Sequence, residues 1–215
     1  MADPRTKLES LFDADRVLRA AEDAFLDSAD EKVLARTISA AVKDALTGNE
    51  VGEQEMRLVR LADLAAQVPC LETIEALLKI LDHHEPAVRS EAGECLLDVA
   101  YERFKEVAVA IEGLLDRRHD GESMEEIPFI LAEIRDPDPL PLLVRFLAHP
   151  RAEVVASAIE AVTGYGDGSV IRHLEKLTED PREVTLPDLD DATATVGDLA
   201  ADAIAELQGD PRDDE

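Results

Sequence analysis

Hydrophobic positions along this chain recur in two alternating patterns. Ile74, Leu77, Leu78 and Leu81 fall at offsets 0, 3, 4 and 7, the spacing of one buried face of an α-helix. After the polar stretch "DHHE", Val88, Ala92, Cys95, Leu96 and Val99 fall at 0, 4, 7, 8 and 11, a second helical face. Pro86 stands where that second helix begins, a position at which its missing N–H costs nothing. The same order returns later. Leu142, Leu143, Phe146 and Leu147 form a first stripe, "AHPRAE" a bend, and Val154, Ala158, Ala161, Val162 and Tyr165 repeat 0, 4, 7, 8, 11. The steps Leu81 to Val88 and Leu147 to Val154 both span seven residues and lie 66 apart, leaving room for one 33-residue unit between them.

That middle unit is degenerate. Val107, Ile111, Leu114 and Leu115 give a first helix, "DRRHDGES" a bend, and Ile127, Leu131 and Ile134 a second helix. Ser123 with Glu126 reads as a capping box, and Pro128 falls just beyond the first turn. In a last copy the step Leu177 to Val184 recurs, but the second helix waits until Val196, Ala200, Ala203, Ile204 and Leu207. The segment 185–195 is therefore an insertion into the final bend, and such insertions map to one face of an array. Residues 33–46 and 55–68 form a less regular first pair. The organisation predicted is all-α: N-terminal capping helices over 1–32, an α-solenoid of about five helix pairs over 33–208, and a disordered acidic tail over 209–215. No segment reads as a strand.

Composition adds a core type and a charge. Of 215 residues 46% are apolar, yet only 3% are aromatic and Trp is absent, so Ala, Leu, Val and Ile must build the core. Forty-nine acids against 22 bases give a net charge of −27. Phosphate binding rests on clustered Lys and Arg, so a nucleic-acid backbone is excluded as partner, and an anionic membrane surface equally. The acids are spread along the whole chain, so a solvated, salt-adapted surface accounts for them as well as a binding face does. "MADPRTKLES" contains no secretory apolar run, and no stretch approaches the ~20 apolar residues of a membrane span, so a cytoplasmic protein is expected.

The segments "LLKILDHHEPAVRSEAGECLLDVA" and "LLVRFLAHPRAEVVASAIEAVTGYGD" resemble HEAT repeats, and more closely the short HEAT-like units of phycobilisome-lyase-type proteins. The resemblance implies a helix, a Pro- or Asp-containing bend, then Val-Arg and an Ala-rich helix. Val88-Arg89 keeps the Val-Arg pair, whereas Val154-Val155 and Val196-Gly197 have lost the Arg. Folds of this kind host many unrelated roles.

Candidate chemistry is sparse. His83, His84, His119 and His149 lie in successive bends, which stack ~10 Å apart. One metal ion with bonds of ~2 Å does not bridge them, so they read as exposed turn histidines. Iron enzymes similar to deoxyhypusine hydroxylase use several His-Glu dipeptides; this chain has one, His84-Glu85. HEAT-like DNA glycosylases, which the fold also resembles, cradle DNA in a basic surface, and here the balance is inverted. Cys70 and Cys95 are too few for a disulfide scaffold and read as packing residues. "GYGDGS" at 164–169 follows a helix rather than a strand, so it is a helix stop. No catalytic residue, cofactor or metal is expected.

One pattern points outward. With core positions at 0, 4, 7, 8 and 11, offset 6 faces away from the core. It holds Glu94, Glu133, Glu160 and Asp202, and the inserted loop adds Asp188, Asp190 and Asp191. HEAT-type arrays usually line their concave face with second helices, which would make these carboxylates a column. The function expected is a non-catalytic protein–protein interaction scaffold with a cationic partner. An inhibitor or immunity protein that blocks a basic nuclease shares this surface, and the resemblance alone implies a lyase- or chaperone-like factor.

Overall fold

The computed structural model describes residues 3–48, 51–186 and 192–209. Ten α-helices account for nearly all of the regular structure there: α1 Pro4–Leu26, α2 Glu31–Leu46, α3 Val51–Gln67, α4 Leu71–Leu81, α5 Pro86–Asp116, α6 Ser123–Ala132, α7 Leu140–Phe146, α8 Ala152–Tyr165, α9 Ile171–Leu174 and α10 Val196–Leu207. None of them is long and apolar enough to cross a membrane. Most residues of the apolar stripes read from spacing are buried, while Leu115, Tyr165, Leu177, Ile204 and Leu207 are half-buried against the core. Leu77, Leu81, Ala92, Leu96, Leu143, Ala158, Val162 and Ala200 are all fully enclosed. Helix pairs pack in two series: α2 on α4, α4 on α5 and α5 on α7; and α3 on α5, α5 on α6, α6 on α8 and α8 on α10.

Two elements differ from the expected ones. The segment expected to be an inserted loop, 185–195, belongs to a hairpin of two strands, β1 Glu183–Leu186 and β2 Ala192–Thr195, paired antiparallel with Glu183 opposite Thr195 and Val184 opposite Ala194. Four residues on each side are too few for periodicity to register. The physical signal is local: β-branched Val184, Thr185, Thr193 and Thr195, with Val184 buried and its neighbours Glu183 and Thr185 exposed. The helices expected at 88–99 and 107–115 run on as α5, bent only at Arg103 (φ −130°, ψ 39°). Residues 100–106 contain no Gly, Pro or capping residue, so nothing in the sequence stops the helix there.

At the N-terminus, α1 buries no residue. Residues 3–20 are exposed, and the helix meets the rest of the chain through Phe25, Leu26 and a Glu22–Arg60 ion pair at 3.1 Å. At the other end Gly166 closes α8 in the left-handed region (φ 80°), the helix stop expected of "GYGDGS". Residues 210–215 of the acidic tail lie outside the described residues.

The bends are built on histidine: His84 is exposed as expected, but the reading of His83, His119 and His149 as exposed is corrected. His83 and His149 are buried, 5% and 4% exposed. In each, Nδ1 accepts the N–H two residues on, from Glu85 and Arg151, at 3.2 Å. His149 Nε2–H then donates to the carbonyl of His119 in the preceding bend (2.9 Å), and His119 Nε2–H donates to Asp82 (2.6 Å) in the bend before that. Arginines complete the ladder. Arg89 donates to the carbonyls of His83 and His84, Arg151 to that of Asp120, and Arg182 to those of His149 and Pro150, at 2.6–3.0 Å. Arg151 and Arg182 thus reach bend carbonyls although Val155 and Gly197 replace the Arg of the Val-Arg pair.

The expected Ser123–Glu126 capping box does not form. Ser123 is fully buried as the first residue of α6, and its N–H donates to Asp82 Oδ1 (3.0 Å), while Glu126 pairs with Arg89 (2.9 Å). A carboxylate 41 residues away has taken the capping role, which no local pattern encodes.

Candidate functional site

The second helices α6, α8 and α10, with β1, enclose an open groove of about 770 Å³. Its floor is apolar, from Ala156, Ile159, Val184, Leu199 and Ala203, with Phe129 at one wall. Five carboxylates line it: Glu125, Glu153, Glu160, Asp202 and Glu206, and no Lys or Arg does so among the described residues. Arg151, which does not line the groove, pairs with Glu125 and lies 3.7 Å from Glu153. Burial pushes the Glu125 carboxyl above the ordinary range, against the pull of Arg151.

Two of the residues predicted at offset 6 lie in this groove, Glu160 and Asp202. Glu94 and Glu133 are exposed but lie outside it. Glu133 falls at the C-cap because α6 stops at Ala132, and its carbonyl meets the Tyr101 hydroxyl at 3.5 Å. Asp188, Asp190 and Asp191 fall outside the described residues. Glu153, Glu206 and Glu125 were not anticipated. The first two lie seven residues before Glu160 and four after Asp202, so extending each outward face by one or two turns identifies them. Glu125 has no such signal, because only the packing of α6 on α8 turns it toward the groove.

A second cluster lies on α3 and α5. Ligand atoms of Asp63, Glu91 and Cys95 lie within 4.8 Å of one another, with Cys95 buried. Burial, then the charges of Asp63 and Glu91, push the Cys95 thiol up to about 12. Burial and the nearby Asp63 carboxylate likewise raise the Glu91 carboxyl. A protonated thiol 4.0 Å from Glu91 acts as a weak donor to the pair. Cys95 therefore packs, as its spacing implied, but against carboxylates on one side. Three donors of mixed hardness are one short of a tetrahedral structural zinc site. The thiols of Cys70 and Cys95 are both free.

No protein-family model matches this chain, and no curated protein matches its sequence.

Proposed function

We propose that this chain is a HEAT-like α-solenoid that works without catalysis, as a scaffold whose acidic groove receives a cationic protein surface. The repeat spacing and the two series of helix contacts support the solenoid reading, since each pair packs mainly on its neighbours. The function rests on one observation: five carboxylates rim an apolar floor with no lining base among the described residues. Such a surface attracts Lys- and Arg-bearing partners over the Debye length, repels phosphate backbones, and supplies apolar area for a docked side chain. Solvated surface acids alone do not require an apolar floor between them.

The test compares wild type with a groove variant carrying Glu153→Gln, Glu160→Gln, Asp202→Asn and Glu206→Gln, and with a control carrying Glu72→Gln, Glu75→Gln and Glu102→Gln. Affinity purification with mass spectrometry at two salt concentrations should recover a basic protein on wild type and control at low salt. The groove variant and high salt should both lose it. Equal recovery on the groove variant would place binding elsewhere and sink this reading.

A further inference from the structure

We propose that the groove also receives α1 from a second copy of this chain, in a reciprocal dimer. The first observation is α1 itself. Leu8, Leu11, Phe12 and Leu18 follow helical spacing on one side of it, and they are 49, 66, 49 and 38% exposed. No residue of its 23 is buried. An isolated helix has little stability in water, and most helical stability in proteins comes from packing an apolar face. Among the described residues, this stripe has no such cover within its own chain.

The second observation is fit. At 3.6 residues per turn, Arg5, Arg16 and Arg19 fall within roughly 60° of arc along one edge of the stripe, and the acid inside the stripe, Asp15, is the partner of Arg19. Arg16 pairs with Asp13, and Arg19 with Asp15 at 2.9 Å, all of them exposed. Exposed pairs of this kind are worth about 0–1 kcal/mol, so the arginines exchange partners readily. Opposite them in the groove stand Glu160, Asp202 and Glu206 above an apolar floor. Leu8 to Leu18 spans about 15 Å at 1.5 Å per residue, and α6 to α10 across α8 spans about 20 Å at the usual helix spacing.

The third observation is placement. Through Glu22 and Arg60, α1 is tied to α3, which belongs to the same packed series as α6, α8 and α10. In an antiparallel two-fold pair, the α1 end of one copy lies beside the groove end of the other, and each supplies a helix and a groove. One helix stripe alone falls short of the about 1,200–2,000 Å² of a specific interface; two reciprocal contacts approach it. The proposal rests on the groove being a docking site, and a cationic partner then enters by displacing α1.

Analytical ultracentrifugation of the full chain tests this with no other protein present. Wild type should be a dimer, and Leu11→Gln with Phe12→Gln should be a monomer of unchanged helicity. Two charge-reversed variants sharpen it: one with Arg5→Glu, Arg16→Glu and Arg19→Glu, the other with Glu160→Arg, Asp202→Arg and Glu206→Arg. Each alone should be monomeric. Mixed, they should form a heterodimer, because both reciprocal contacts again pair opposite charges. A monomeric wild type overturns the proposal and leaves capture of a foreign cationic protein untouched. A dimer that survives groove reversal overturns it too, since α1 would then be packing elsewhere. Failure of the mixture to associate has the same consequence.

Discussion

Asp82, in the bend after α4, caps a helix that begins 41 residues later: its Oδ1 accepts the Ser123 N–H at 3.0 Å while its Oδ2 accepts from His119 Nε2 at 2.6 Å. One carboxylate thus ties two successive bends together. Gly121 makes room for it, because a Cβ there would lie 2.1 Å from Asp82 Oδ1. Replacing Asp82 by Ala leaves the helix N–H and the imidazole N–H without their acceptor. The expected loss is about 1–3 kcal/mol in urea unfolding, with the m-value kept. A change of only a few tenths would mean that water replaces the carboxylate freely.

Gly197 lets α10 approach the turn before β1. Its N–H donates to the Asp180 carbonyl at 3.0 Å, and a Cβ would meet the Thr178 carbonyl oxygen at 2.7 Å. The obstacle is backbone, which has no rotamer to change. Gly197→Ala should cost about 1–3 kcal/mol as overpacking, although Ala is the better helix former. A stabilised Ala variant in thermal unfolding would contradict this packing.

His149 uses both ring nitrogens as a neutral imidazole, accepting at Nδ1 and donating at Nε2. Burial, with Arg151 and Arg182 nearby, holds its pKa below the ordinary 6.5 despite the bond to the His119 carbonyl and the charge of Asp120. As pH falls, the unfolded chain takes up this proton first. The contribution to stability is therefore complete above about 6.5 and is lost as pH drops toward the folded value. His149→Gln should lower stability at pH 7, and its melting temperature should fall less than that of wild type between pH 7 and pH 5. Parallel pH curves for the two proteins would exclude a role for this ring.

Glu91 gives the opposite sign. Its carboxyl is raised above the ordinary 4.5 by burial and by Asp63, so the folded state holds the proton longer. Stability is greatest below the unfolded pKa and declines as pH rises through the folded one. Glu91→Gln removes the half-buried charge and places a donor beside Asp63. It should raise the melting temperature at pH 7, with the gain fading near pH 4. A destabilised variant at pH 7 would show instead that the ionised carboxylate is needed there.

The sequence by itself determined most of the helical elements and the direction of their buried faces. Leu96, Ala158 and Ala200 are enclosed where a spacing of 0, 4, 7, 8, 11 places them, because the geometry of a helix turns periodicity directly into a face. It also located the interruption before Val196, and it put Glu160 and Asp202 on the outward side. Only the tertiary structure decided what those faces meet. Asp82 caps α6, Arg182 holds the His149 bend, and Glu125 joins the groove, each through contacts between residues about 30–40 apart or between separate helices. Glu133, at the C-cap of α6, and Glu94, within α5, both lie outside the groove. Periodicity specifies direction about one helix axis. The distance and angle between axes follow from how whole faces pack, and those decide which carboxylates share a groove and leave the stripe of α1 uncovered among the described residues.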